Sequence, residues 1–218
     1  ASNNTAVGYA ALTANTTGAG GTAVGRNSLL ANTTGAANTG LGHAALAANT
    51  TGAGNVAIGN SLSANTTGSY NVSVGHVALN TNTTADNNTA VGYNSLLANT
   101  TGVRNVAIGS ASGDANTTGG DNVSVGANSL SANTTASNNT AVGSASLITN
   151  TTGAGNTGLG NSALYGNTTA ANNTAVGYQS LYTNTTGASN VAVGQVALRA
   201  NTTAAENTAV GRAAMYTN

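Results

Sequence analysis

Small and branched apolar residues alternate with glycine and polar residues in a pattern that recurs along the whole chain. The first copy, residues 4–20, reads Asn-Thr-Ala-Val-Gly-Tyr-Ala-Ala-Leu-Thr-Ala-Asn-Thr-Thr-Gly-Ala-Gly. A glycine follows a branched aliphatic residue thirteen times, at intervals of seventeen residues, with one interval of sixteen between Gly59 and Gly75. So short and regular a period is typical of a chain that winds one coil per repeat and stacks the coils. Each column of equivalent positions is named below after its residue in the first copy.

The start of each repeat has the alternation of a β-strand. The Thr5 column holds only Thr or Val, and the Val7 column holds only Val, Ile or Leu. These side chains share one face, while the Ala6 column on the opposite face holds only Ala, Ser or Gly. A strand restricted on both faces is typically buried on both. We therefore expect one face to line the coil and the small-residue face to contact a neighbouring chain, with closure as a homotrimer.

The rest of the repeat predicts a second strand and a turn. Ala11 and Leu12 recur as a small residue followed by Leu, with Gly113 and Met215 as the exceptions. We predict strands at residues 4–8 and 10–14, separated by a tight bend after Gly8, where a loop absorbs the missing residue between Gly59 and Leu62. Asn15-Thr16-Thr17 recurs in every complete copy and predicts a turn with stacked Asn side chains.

These elements predict an all-β fold, a parallel β-solenoid or β-roll of about 13 coils, in one repetitive domain over residues 1–218. The copy near residues 59–75 is short, and the copy near residues 109–122 is atypical. We expect Val7, Gly8, Leu12, Asn15, Thr16 and Thr17 to begin the structural ladders that run up the stack.

Composition supports a repetitive fold over a compact one. The chain of 218 residues has no Phe, Trp, Pro or Cys and only one Met. Disorder is the alternative for a chain so rich in Gly, Asn, Thr and Ala, but disordered tracts rarely keep apolar residues in phase. The missing initiator Met and the end within a repeat suggest a segment of a longer protein.

Charge and hydropathy narrow the function classes. Charged residues make up 4% of the chain, and the formal net charge is zero. A nucleic-acid binder needs clustered Lys and Arg, and a transmembrane helix needs a longer apolar run, so we expect neither nucleic-acid binding nor membrane insertion. The absence of Cys suits an extracellular protein.

Candidate chemistry is sparse, and we expect no enzyme, cofactor or metal. His43 and His76 lie two coils apart in the same column, which places them too far apart to share a metal. Asp114 and Asp121 flank the atypical copy, where a calcium loop is the alternative to an irregular coil.

Asn-Thr-Thr is also a glycosylation sequon, although a turn ladder explains its recurrence without sugar. Rows of Thr permit an ice-binding interpretation. Two observations oppose it: the Thr5 column is expected to be buried, and the adjacent residues Thr16 and Thr17 cannot share a strand face. Tyr residues fall mainly at variable, outward positions and are candidate surface contacts: Tyr9, Tyr93, Tyr165, Tyr178 and Tyr182.

The stretch Asn173–Gly187, which reads Asn-Thr-Ala-Val-Gly-Tyr-Gln-Ser-Leu-Tyr-Thr-Asn-Thr-Thr-Gly, resembles repeats of phage tail-fibre-like and bacterial surface-fibre proteins. Its Thr-Ala-Val-Gly core is similar to the head repeat of trimeric autotransporter adhesins, although that repeat is shorter. The resemblance implies a left-handed coil and a trimer.

Together these observations predict a structural shaft or head segment of an extracellular trimeric fibre, on a virion or a bacterial surface, that supports receptor binding or adhesion. The partners expected are other copies of the chain and a cell-surface glycan or protein receptor. A monomeric ice-binding solenoid with Thr ladders is the alternative.

Overall fold

The computed structural model describes residues 1–217 and consists of one parallel sheet whose strands follow chain order. Each repeat contributes one strand of three residues, and each strand pairs in register with the equivalent strand of the next repeat. The thirteen strands, β1 to β13 in chain order, are Thr5–Val7, Thr22–Val24, Thr39–Leu41, Val56–Ile58, Val72–Val74, Thr89–Val91, Val106–Ile108, Val123–Val125, Thr140–Val142, Thr157–Leu159, Thr174–Val176, Val191–Val193 and Thr208–Val210. The predicted all-β parallel solenoid is confirmed.

The second predicted strand, residues 10–14 and their equivalents, is wrong. Backbone bonds to the next coil do continue there, for example from the Leu12 amide to the Ser28 carbonyl at 3.0 Å. However, Ala10 and Leu12 have φ of 56° and 55°, and this left-handed conformation recurs in their columns. Two left-handed residues separated by one other fold the chain sharply back toward the sheet, so this side of the coil is a turn.

The glycine after each strand allows the coil to bend. Gly143, for example, has φ of 126°, and an added Cβ would lie 2.5 Å from the Gly160 carbonyl oxygen. Such a φ is close to glycine-only, and the next coil leaves no room for a side chain. The short copy confirms the predicted loop, since it lacks the left-handed residue between Gly59 and Leu62.

The core of each coil is narrow and holds one large side chain. Leucines of the Leu12 column fill it, with the Ala6 and Ala11 columns packed against them. Ala107 and Ala141 are fully buried in their own coil, so the small-residue face is not the contact surface that the sequence suggested. The opposite wall already carries Leu, and only Ala, Ser or Gly fits across from it.

The branched side chains of the sheet therefore point outward. Side chains of the Thr5 column are partly exposed, and Ile108 of the Val7 column is 41% exposed. The expectation that the Thr5 column is buried is wrong for the single chain. No helix long and apolar enough to cross a bilayer occurs within residues 1–217.

Candidate functional surfaces

The outer face of the sheet is an uncharged strip formed by the Thr5 and Val7 columns. Parallel strands about 4.8 Å apart, with the two columns two residues apart along each strand, give a strip about 58 Å long and roughly 10 Å wide. All eight charged residues of the chain lie in other columns. The most exposed inner members, Val24, Ile58, Ile108 and Leu159, are 37–41% exposed. The strip, called the apolar strip below, thus sets an unbroken column of aliphatic side chains beside a column of eight Thr and five Val.

The turn opposite carries two buried ladders of asparagine. In the Asn15 column, Asn167 donates Nδ2 hydrogens to the Asn150 Oδ1 at 2.8 Å and to the Ala170 carbonyl at 3.0 Å. In the Asn4 column, the backbone N–H of Asn139 donates to the Asn122 Oδ1 at 3.0 Å. The Asn139 Nδ2 donates to the Gly153 carbonyl, which also accepts from Asn150. The predicted Asn stacking is therefore present.

These ladders bury the asparagines of the Asn-Thr-Thr sequons. From Asn32 to Asn201 the asparagines of the Asn-Thr-Thr motifs are at most 2% exposed, and their side-chain amides already donate hydrogen bonds inside the coil. A glycan on such an Nδ2 would replace a buried hydrogen bond and would have to pass through the coil wall. The folded coil is incompatible with sugar at these positions.

The two threonines of the turn have different environments. Hydroxyls of the Thr16 column donate to the carbonyl of the equivalent Thr in the next coil, as Thr117 does to Thr134 at 2.9 Å. Side chains of the Thr17 column are exposed in all twelve copies, and their hydroxyls make no hydrogen bond to another described residue. The Gly18 column is buried in nearly all copies, while the exposed Thr17 column and the mostly half-buried Ala19 column on either side of it form a second surface.

The tyrosines lie on the flanks, as the sequence predicts, but they are not equivalent. Tyr9, Tyr93 and Tyr178 are exposed in one column. Tyr165 and Tyr182 stack on each other with ring centroids 4.9 Å apart, and the Arg199 guanidinium lies 5.0 Å from the Tyr182 centroid. The ring faces of this pair are therefore largely occupied within the chain, and one face of Tyr93 packs against His76, whereas Tyr9 and Tyr178 stack on no other described ring and are free to contact a partner.

The remaining polar candidates do not converge. His76 stacks on Tyr93 with ring centroids 6.0 Å apart. Asp121 pairs with Arg104 at 2.6 Å, and this hydrogen bond lowers the carboxyl pKa. Burial raises the pKa of Asp114, whose Oδ1 is buried without a partner. Within residues 1–217, no three His, Cys, Asp or Glu side chains are close enough to hold one metal ion, and no pocket is formed.

Sequence reasoning missed the apolar strip as an exposed surface and the Thr17–Ala19 face. The strip had a visible signal, since the Val7 column is restricted to aliphatic residues, but the direction of that face was unknown. A comparison of the chain with protein-family profiles, with curated proteins and with solved structures finds no match.

Proposed function

We propose that the chain is a structural segment of an extracellular homotrimeric fibre, in which the apolar strip faces the other two copies. The observation that carries the proposal is that a column on the outside of the coil accepts only aliphatic residues. The Val7 column stays aliphatic in all thirteen repeats, while the Tyr9 column two residues away holds Tyr, Arg, His, Asn, Ser, Ala and Gln.

That contrast argues for a partner. The repeats have diverged at other exposed columns, such as the Tyr9 column, so recent duplication alone does not explain the uniform Val7 column. The coil interior does not explain it either, because these side chains point away from it. An apolar surface outside the chain accounts for the restriction, and another copy of the same strip is the simplest such surface.

The area of the strip is consistent with self-association. At about 58 Å by 10 Å it covers nearly 600 Å², the upper end of what a monomer leaves exposed. A standard interface takes roughly 800 Å² from each partner. Flanking residues of the coil supply the remainder once the strips of three chains face a common axis.

The rod geometry suits a shaft. Backbone hydrogen bonds link each coil to the next around the whole circumference, and two Asn ladders add side-chain bonds along the axis. A shaft of this kind holds a receptor-binding part away from a virion or cell surface. The exposed Tyr9, Tyr93 and Tyr178 would remain on its outside and supply adhesive contacts to a glycan or protein.

The test is a matched pair of lysine variants. Ile108→Lys places a charge within the strip, and Ser110→Lys places the same charge on the exposed flank two residues away. In an isolated rod both lysines reach water. In a trimer the first would be desolvated against apolar neighbours, which costs several kcal/mol. We expect light scattering to show Ile108→Lys as a monomer and Ser110→Lys as a trimer; equal masses for the two would contradict the proposal.

Ice binding is the second candidate, and the Thr17–Ala19 face favours it. Twelve exposed threonines with free hydroxyls repeat at the sheet spacing of about 4.8 Å, beside a column of mostly Ala and Ser. Such a flat array of methyl and hydroxyl groups can order water. A thermal-hysteresis measurement tests it: activity that is lost in Thr118→Lys and retained in Ser110→Lys would establish this function, and no activity would leave the fibre proposal alone.

A further inference from the structure

The seventh coil, residues 105–121, lacks the side chain that fills every other coil. Twelve members of the Leu12 column are Leu or Met, and the thirteenth is Gly113. The buried apolar core is accordingly divided in two. One cluster ends at Leu96 and Ala107, and the other begins at Leu130.

Hydroxyl groups occupy part of the gap. Ser112 Oγ lies 2.8 Å from Ser124 Oγ and 3.0 Å from Ser129 Oγ, so three buried hydroxyls meet where coils elsewhere have an isobutyl group. The adjoining Asp114 leaves a buried Oδ1 without a partner. An unpaired buried polar atom and a missing core side chain both lower the stability of this coil.

A slight rise in solvent exposure marks the same coil and its two neighbours. Interior Leu, Asn and Ser side chains between Leu46 and Asn201 are completely buried, with six exceptions that all lie around Gly113. These are Leu96 at 3%, Asn105 at 1%, Asn116 at 2%, Asn122 at 4%, Ser124 at 2% and Leu130 at 2%. The short coil offers a contrast, because it has lost a residue but keeps Leu62 fully buried inside a continuous core.

We propose that coil 7 is a built-in yielding point, at which the rod opens and bends before any other internal coil does. In a stack of coils each repeat contacts only its neighbours, so stability is a sum of local terms and one weak coil uncouples the two halves. The rod then behaves as two stiff segments, coils 1–6 and coils 8–13, joined by a compliant one. This inference concerns the interior of a single chain and does not depend on the proposed fibre.

The test is hydrogen exchange of the intact chain followed by mass spectrometry of its peptides. Backbone amides of coil 7, such as that of Gly113, which bonds to the Ser129 carbonyl at 2.9 Å, report opening of this coil. We expect them to exchange about 100-fold faster than equivalent amides of coils 4 and 10, a factor that corresponds to loss of one core leucine.

Two variants move or remove the yielding point. Gly113→Leu should slow coil 7 to the rate of its neighbours. Gly113 has φ of 58°, like the leucines of its column, so a Leu can adopt this backbone conformation. The coil after Leu62 has a Ser in the Ala6 column, just as the coil after Gly113 has Ser124, so a Leu is compatible with a Ser at that place. Leu164→Gly should create a second fast region around coil 10, whether or not Gly113→Leu folds. Uniform exchange along the wild-type rod, or a Leu164→Gly chain without a new fast region, would overturn the inference.

Discussion

Individual residues of this chain adopt backbone conformations that their side chains disfavour. Leucines of the Leu12 column have φ near 50°, where a non-glycine residue is strained by about 1–2 kcal/mol. The strain is tolerated because each leucine fills the core of its coil and its amide bonds to the next coil, as that of Leu147 bonds to the Ala163 carbonyl at 3.0 Å. Propensity alone could not predict this, which is why a second strand was expected from the sequence.

Asp114 gives a prediction at the same scale. Burial raises the pKa of its carboxyl in the folded chain above the ordinary value of about 3.9. The folded state therefore binds more protons between the ordinary and the raised pKa, and stability falls as pH rises through that window. Asp114→Asn should remove this loss, a gain of roughly 0.5 kcal/mol at pH 7 because the group is half-exposed.

The measurement is urea unfolding of wild type and Asp114→Asn at pH 7 and at pH 3. The two chains should differ at pH 7, where the variant is more stable, and should converge at pH 3. Asp121 acts in the opposite direction through Arg104, but it is common to both chains and cancels in the comparison. A variant that is less stable than wild type at pH 7 would show that the Asp114 carboxylate is not destabilising.

At the scale of the coil, the ladders replace what a large hydrophobic core does in a globular domain. Coils 3–6 and 8–12 each bury one leucine and two asparagines, and the asparagine amides satisfy carbonyls that the turn would otherwise leave unpaired inside. Buried polar groups are stabilising only when they are completely paired. The invariance of the Asn and the first Thr of Asn-Thr-Thr therefore follows from hydrogen bonding between coils.

Removing one ladder member tests that explanation. Asn167→Ala deletes two donated bonds, leaves the Asn150 Oδ1 without a partner and removes one of the two acceptors of the Asn184 Nδ2. We expect a loss of about 3 kcal/mol or more in the free energy of unfolding by urea. Asn161→Ala, an exposed asparagine in the preceding turn, is the control and should change stability by less than about 0.5 kcal/mol. Equal effects would mean that the ladder contributes no more than a surface residue.

The sequence predicted the coil period, the first strand (placed at residues 4–8 and found at Thr5–Val7), the loop in the short copy and the Asn stacking, because each depends on local pattern or on exact repetition. It did not predict which strand face points inward. Alternation gives the phase of a strand but not its direction, and both faces of this strand are restricted. The usual rule that larger apolar side chains go inside fails here, since the Leu12 column leaves room only for Ala, Ser or Gly across the coil.

For the whole molecule, the inward direction of the small-residue face changes which surface is available for assembly with other copies. The small residues of each strand are buried inside the coil, and the branched residues form a strip that runs the length of the rod. A rod with an uncharged apolar strip along one side is a natural unit for a closed bundle of parallel copies. The coil-7 gap would then give such a bundle one compliant level between two stiff ones.

The mass of the wild-type chain in solution tests the proposed assembly most directly. Light scattering coupled to size exclusion, at micromolar concentration, should give three times the 20.7 kDa of the single chain. The reason is that desolvating three apolar strips outweighs the cost of association at that concentration. A mass of 20.7 kDa that does not change with concentration would contradict the account, because the outward Val7 column would then be exposed to water on an isolated rod.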